Sequence, residues 1–359
     1  MDTVTPSDNP LYSSQREKIG ATTFQKYDYQ YHWALYRILT EHINCNEYAV
    51  FIEFHEDVIV SDSLNNKEAK FEFSQIKTTN KVFNTKHLTS RNVEKRELSI
   101  LGKLVSTCSQ KEFNDRISSI NLVSLKGFNL ELKKSGILLN KITKEDLSEN
   151  QFKELEDAII EELSITCLPT NIQFIIPELS EKNFQNDVIA TISMLVNSIF
   201  PNSRTNAIDI YRALIDELHR KGTVTYDFRM WNDLLRYKAL TSITVTDVIS
   251  QFTDIKSETT IDFEFNNICN ELGLKAIART NMKRAFDRYR QLRISNKSTN
   301  QIDIKNTIKN FLNLGINEGI DDFNELIIYT MNNLPIKIKQ QYIDERDLKG
   351  AIICEYIMN

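Results

Sequence analysis

The 359-residue chain contains only nine glycines and six prolines. Both residue types interrupt regular backbone, one by freeing it and the other by removing a donor. So sparse a supply predicts long uninterrupted elements, with helix dominant. The length suits two domains. Apolar residues at 41% and charged residues at 26% are ordinary for a globular protein and exclude a disordered, collagen-like or fibrous chain. A net charge of −5 excludes a generally basic, histone-like nucleic-acid binder but leaves room for a local basic site.

Cys45, Cys108, Cys167, Cys269 and Cys354 are scattered, with no C-x-x-C and no zinc-ligand spacing. This pattern suits a reducing compartment better than a disulfide framework. The N-terminal sequence lacks the basic-then-apolar order of a signal peptide. No run approaches the roughly 20 apolar residues of a membrane span. A soluble, cytoplasmic protein without membrane attachment is the expectation. No G-x-x-x-x-G-K-[ST] occurs, so no P-loop ATP hydrolysis is expected of this chain.

Along the chain, residues 1–19 are polar, with Pro6 and Pro10, and read as a flexible tail. A helix is expected from Gly20, with Thr22 and Gln25 at capping-box spacing. Phe24, Tyr27, Tyr31, Ala34, Leu35, Ile38 and Leu39 would form its buried stripe. Gln30 lies beside that stripe. Strands are expected at Tyr48–Phe54, Asp57–Asp62 and Lys70–Thr78, then at Ile117–Ser124 and Asn171–Pro177. Helices are expected over Asn92–Ser109 and Lys144–Leu163, and almost throughout from Phe184. This order predicts an α/β domain over 20–205, a boundary near Pro201–Asn206, and an all-helical domain over 206–359. The polar segment Asp254–Thr260 reads as a hinge within the helical half.

The segment Glu53–Lys77 carries the chemistry. FIEFHEDVIV supplies an acidic pair, Glu53 and Asp57; Gln75-Ile76-Lys77 follows, Gln75 standing 18 positions after Asp57. Side chains alternate on a strand, so Gln75 and Lys77 share a face with Phe71 and Phe73. A lysine ending an aromatic face suits a strand that opens into a site. Mg²⁺, or Mn²⁺ in its place, takes oxygen ligands: the Asp57 carboxylate, the Gln75 side-chain carbonyl and the Ile76 backbone carbonyl. Lys77 would hold the attacking water and offset charge developing on a phosphorane. Glu53 joins this set only if Phe54–Glu56 form a tight hairpin; along a straight strand the two carboxylates lie about 13 Å apart, at roughly 3.3 Å per residue. The abutting strand signals favour the hairpin. The same residues also suit ordinary strand-end charges. His32 and His55 are weaker candidates for a base, because Lys77 already fills that role.

The runs GATTFQKYDYQYHWALYRIL, FIEFHEDVIV and FEFSQIKTT resemble the N-terminal nuclease domain of the CD-NTase-associated dsDNA endonuclease family. That family is a branch of the PD-(D/E)xK superfamily in which Q-x-K replaces E-x-K. The resemblance covers about residues 20–205. It implies a restriction-endonuclease-like fold, a double-stranded DNA substrate and a role as effector in bacterial anti-phage defence. The family's helix glutamine falls on Gln30, its acidic pair on Glu53 and Asp57, and its Q-x-K on Gln75 and Lys77. Well-known members continue into a cyclic-oligonucleotide sensor domain. This chain is short and helical there, which points instead to members held in partner complexes, such as the nuclease subunit of Lamassu systems with their SMC-like ATPase.

Two basic clusters stand out. Residues 66–103 hold nine Lys/Arg against four acids, directly after the Q-x-K strand, and Lys81, Lys86, Arg91, Lys95 and Arg96 are the expected DNA contacts. Residues 275–297 hold eight against one, with Phe286 and Tyr289 interleaved, and suit DNA, an acidic partner or a solvated helix face. The combined expectation is a Mg²⁺-dependent DNA endonuclease, an α/β restriction-endonuclease-like domain followed by an all-helical C-terminal domain that assembles it as a homo-oligomer. Apolar stripes such as Phe323, Leu326, Ile327 and Met331 serve either a partner or the domain's own core. The alternative class is a non-catalytic DNA-binding or scaffold subunit.

Overall fold

The computed structural model describes residues 19–44, 46–92, 97–108, 113–254, 256–295 and 299–358. The chain separates into two compact units, one of residues 1–34, 51–61 and 70–184, the other of residues 35–50, 62–69 and 185–359.

Helix α1 (Ile19–Ile43) opens the described chain. It already runs through Thr22 and Gln25, so that pair lies within the helix and not at its cap. Phe24 and Tyr27 are exposed, whereas every residue from Tyr29 to Leu35 is buried. The single stripe predicted from periodicity is therefore wrong at this end: the middle of α1 is covered on all sides. His32 accepts that burial because its Nδ1 lies 2.6 Å from the Asp28 carbonyl and its ring packs edge-on to Phe184.

Strands β1 (Ala49–Ile52), β2 (Val58–Ser61) and β3 (Phe71–Lys77) follow. The short β4 (Phe83–Asn84) leads into α2 (Thr85–Thr89) and α3 (Ile100–Cys108). Then come β5 (Ile117–Ser124), the short β6 (Phe128–Asn129), β7 (Lys141–Thr143), α4 (Glu149–Leu163) and β8 (Ile172–Ile175). Within this unit the sheet order is β1-β2-β3-β5-β8-β7. The ladder is antiparallel for β2 on β3 and β7 on β8, and parallel for β3 on β5 and β5 on β8. It is a mixed sheet, as expected. Parallel neighbours require crossovers, and α2 with α3 makes one while α4 makes the other. Within the described part of the predicted helix Asn92–Ser109, Asn92 and Glu97 form a bridge and α3 begins at Ile100; residues 93–96 and 109 lie outside the described residues. Glu162 of α4 fixes that start. Its carboxylate accepts from the Ser99 N–H and hydroxyl, each at 2.6 Å, a favourable place for negative charge. A side chain at Gly102 would strike the same carboxylate, its Cβ falling 2.4 Å from Oε2.

The second unit contains α5 from Gln185 onward (the helix spans Phe184–Ile199), β9 (Arg204–Thr205), α6 (Ala207–Gly222), α7 (Trp231–Lys238), β10 (Ala239–Thr241), α8 (Ser242–Gln251) and β11 (Thr253–Asp254). Six helices complete it: α9 (Glu258–Glu271), α10 (Ala276–Ser295), α11 (Thr299–Asn317), α12 (Phe323–Asn333), α13 (Ile336–Lys339) and α14 (Glu345–Ile357). Helices α10 and α14 approach so closely that a Cβ on Gly350 would lie 2.8 Å from the backbone of Ala285 and Phe286.

The structure corrects two readings of this half. Asp254 is 1% exposed and anchors an ion network. Its carboxylate meets Arg290 at 2.6 Å and Arg293 at 3.0 Å, while Arg293 also meets Glu355 at 3.2 Å. Asp254 pairs in β11 and Ser257 caps α9, so this segment is no hinge. Part of the second basic cluster is also paired within this unit, while Lys275 and Arg284 stay exposed. Arg290 is fully buried, Lys283 pairs with Asp262 and Asp287, and Arg288 pairs with Asp347. Arg290, the fully desolvated one, is held inside by its partners Asp254 and Glu258. Phe323, Leu326 and Ile327 are likewise buried in the unit's own core, with Met331 packed against it.

Candidate active site

The hairpin between β1 and β2 is tight. The Glu53 N–H donates to the Asp57 carbonyl at 3.1 Å, and the Phe54 N–H to the Glu56 carbonyl at 3.3 Å. Aromatic packing supports the turn: Phe54 lies against Phe51 and His55, and His55 lies against Phe113, which stacks on Phe73. His55 is thus part of a ring cluster. Glu53 closes the turn in the left-handed region, at φ 48°, which costs a non-glycine residue about 1 kcal/mol.

The β2–β3 ladder ends at Val58–Ser74. Beyond it the edge of β3 lacks a strand partner, and the Asp57 carboxylate takes that place: the Ile76 N–H donates to Asp57 Oδ2 at 2.7 Å. The N–H and C=O of a strand residue point to the same side, so the Ile76 carbonyl faces the same opening. From α1, the buried Gln30 amide is hydrogen-bonded to Asp57. Burial raises the Asp57 pKa, opposed by the Ile76 N–H, Lys77 and Gln30. Burial lowers that of Lys77, opposed by Asp57 and Glu56.

Five of the expected residues therefore come together: Gln30, Asp57, Gln75, Ile76 and Lys77. Glu53 is exposed, and its charge acts on Tyr31 and Glu56. The hairpin joins its backbone to that of Asp57, and both carboxylates act on Glu56. Of the expected DNA contacts, Lys81 and Lys86 are exposed, Arg91 pairs with Glu161 at 2.7 Å, and Lys95 and Arg96 lie outside the described residues.

Three residues were not anticipated. Glu56 accepts from Gln75 Nε2 at 3.4 Å and from Thr107 of α3. Lys103, also on α3, is close enough to depress the Lys77 pKa. Glu56 adjoins Asp57 in the sequence and was legible there; Thr107 and Lys103 reach the site only through the packing of a distant helix. Burial pushes the Glu56 carboxyl up to about 7, with Asp57 and Glu53 adding to it and Thr107 and Lys77 opposing. The folded chain thus favours the protonated form. Its contribution to stability is complete below about 4.5 and is lost as pH rises through about 7. In EDTA, melting between pH 5 and 8.5 should fall by about 2 kcal/mol, less than the roughly 3 kcal/mol of a site closed to water. Glu56→Gln should flatten that slope; an unchanged slope would show that another group titrates.

The donor set suits a hard cation. Gln75 Oε1 and Gln30 Oε1 are buried oxygens with no hydrogen-bond partner; the Gln30 amide is bonded to Asp57 and the Gln75 amide to Glu56. Among the described residues no three His, Cys, Asp or Glu side chains converge as a metal cage. One carboxylate with neutral oxygens is the sparse shell that Mg²⁺ accepts, since it keeps waters and takes substrate phosphate. Just past Lys77 in the chain, Thr78 and Thr79 line a cleft of about 410 Å³ with Lys26, Tyr29 and Leu125; Gln30, Asp57, Gln75 and Lys77 do not line it.

A family model described as Cap4, dsDNA endonuclease domain, matches residues 18–222, more than half of the chain. The chain belongs to the Cap4 endonuclease family. No curated protein and no solved structure matches it. Membership makes this chain a double-stranded DNA nuclease of anti-phage defence. The mixed sheet and the mostly helical C-terminal region agree with the fold expected for a Cap4 nuclease followed by helices. No helix among the described residues is long and apolar enough to cross a membrane.

Proposed function

We propose that this Cap4 nuclease cuts double-stranded DNA by metal-dependent hydrolysis at Asp57, Gln75, Ile76 and Lys77, and that assembly switches it on. The reading rests on one observation above all: two buried carboxamides with unpartnered oxygens, bonded to Asp57 and Glu56 beside a lysine at the open edge of a sheet. A bound Mg²⁺ or Mn²⁺ would polarise the scissile phosphate and lower the pKa of an attacking water. Asp57, the Gln75 carbonyl and the Ile76 carbonyl would hold it. Lys77 hydrogen-bonds the attacking water and offsets charge as the phosphorane forms. Gln30 holds the Asp57 carboxylate in place, and Glu56 holds the Gln75 amide. Lys103 and Lys81 add positive charge for the DNA backbone.

Two features support control by assembly. Each chain carries one candidate site, the other Q-x-K (Gln151-Phe152-Lys153) lying on α4, so breaking both strands calls for two copies of opposite polarity, most simply a symmetric oligomer. The net charge of −5 weakens capture of DNA by a lone subunit, whereas joined subunits multiply the local basic contacts. The helical C-terminal region is the natural place for contact with a partner, including an SMC-like ATPase of the Lamassu kind. The test is plasmid cleavage by the full chain with Mg²⁺ or EDTA, alone and co-expressed with its neighbouring gene products, with mass followed by light scattering. Linearisation that tracks oligomeric mass and stops in EDTA is expected. Binding without cleavage in every assembly would return the chain to the class of DNA-binding scaffold.

A further inference from the structure

Leu138 is the most exposed large apolar residue of the described chain, at 100%, and its neighbour Ile137 is 43% exposed. Both stand on the loop between β6 and β7. Four lysines and no acid lie between residues 133 and 144. An apolar tip flanked by lysines is unsuited to water and suited to the inside of a nucleic-acid groove.

The base of the loop is fixed on both sides. The Lys133 N–H donates to the Asp146 carbonyl at 2.9 Å, and the Ile176 N–H to the Asn140 carbonyl at 2.7 Å. Leu132 bridges to Leu147. Between these ties Gly136 adopts φ 77°, which lets the tip turn sharply. Only the tip projects.

The sheet register places this tip. Lys141 pairs with Ile175, Ile175 with Val123, and Val123 with Ile76. The foot of the loop therefore stands in the same row as the central residue of Q-x-K, three strands away. At about 4.8 Å per strand that is about 14 Å, or about four base pairs at 3.4 Å each. A duplex laid along this edge of the sheet from Lys77 would meet the loop.

We propose that residues 133–140 form a wedge that enters the minor groove about four base pairs from the cut. Ile137 and Leu138 press between base steps, while Lys134 and Lys141 contact phosphates on either side. Lys133 lies near Glu145 and Asp146, so it is the weaker phosphate contact. The wedge rests on the reading of the chain as a double-stranded DNA nuclease.

The experiment uses the full chain, duplexes carrying 2-aminopurine at successive positions, and EDTA to prevent cutting. Wild type should bind and raise 2-aminopurine fluorescence at an unstacked step. Ile137→Ser with Leu138→Ser should melt as wild type does, bind about tenfold more weakly and lose the fluorescence rise. Lys134→Ala with Lys141→Ala should keep the rise and reduce the slope of log K against log salt by about 2. Unchanged binding and fluorescence in the serine variant, with wild-type plasmid cleavage intact, would overturn the wedge alone. Failure of wild type to bind any duplex in every assembly tested, co-expressed partners included, would overturn the nuclease reading and the wedge with it. A change in oligomeric mass or vesicle binding, with DNA binding unaltered, would assign the tip to a second copy or a lipid surface and likewise overturn it.

Discussion

Lys77→Ala should lose cleavage on the order of 10²–10³-fold while DNA binding and melting temperature change little. The side chain is held at the end of β3 between Asp57 and Glu56, and burial lowers its pKa. An ammonium in that setting acts on charge that develops only during the reaction, so its removal should appear in kcat and not in affinity. Folding should survive, because deleting a desolvated cation also relieves its burial. Indeed the metal-free variant should melt no lower than wild type at neutral pH. Plasmid nicking by the activated variant, measured as a rate, decides the matter. A rate within a few-fold of wild type would remove Lys77 from the chemistry.

Asp57→Asn should have the second large effect, and it should be read as metal affinity. The substitution preserves shape and the acceptor for the Ile76 N–H but removes the carboxylate charge that the Ile76 N–H and Gln30 hold in place. Changing an outer partner of a metal ligand costs roughly 10–100-fold; loss of the charged ligand itself should exceed that. Titration of Mn²⁺ by calorimetry gives the number without reference to activity, and cleavage should fall in parallel. Higher Mn²⁺ should restore part of the rate, since it binds such donors more tightly than Mg²⁺. Cleavage that continues in excess EDTA would exclude the metal from the mechanism altogether.

Much of the nuclease fold was legible because its signals are local. Ile117–Ser124 is a strand over its whole predicted length, and β3 falls within one residue of expectation at each end. Those segments combine β-branched and aromatic residues with short flanking turns. The hairpin at Phe54–Glu56 was also legible, since two strand signals abut there. What failed depends on surroundings. The all-round burial of α1 and the capture of Arg290 by Asp254 are set by residues remote in sequence. A charge count cannot distinguish a lysine in solvent from an arginine inside a core. The site shows the same division: Asp57, Gln75 and Lys77 are spaced along two adjacent strands, whereas Thr107 and Lys103 arrive on α3. The lysine-rich loop at 133–144 carries a readable signal that the two larger basic clusters overshadowed.

The path of the chain bears on how such proteins diversify. The backbone passes between the two compact units five times, at 34/35, 50/51, 61/62, 69/70 and 184/185. Genes exchange domains most easily when one crossover severs one connection. Here no single splice separates the units, and a breakpoint near residue 205 would leave residues 35–50 and 62–69 behind with the wrong parent. Exchange of the helical region for a different domain would have to preserve those two inserts, or replace them together with it. Lineages that share this interlacing should therefore inherit nuclease and helical region as one block, and phylogenies built from either part should branch alike.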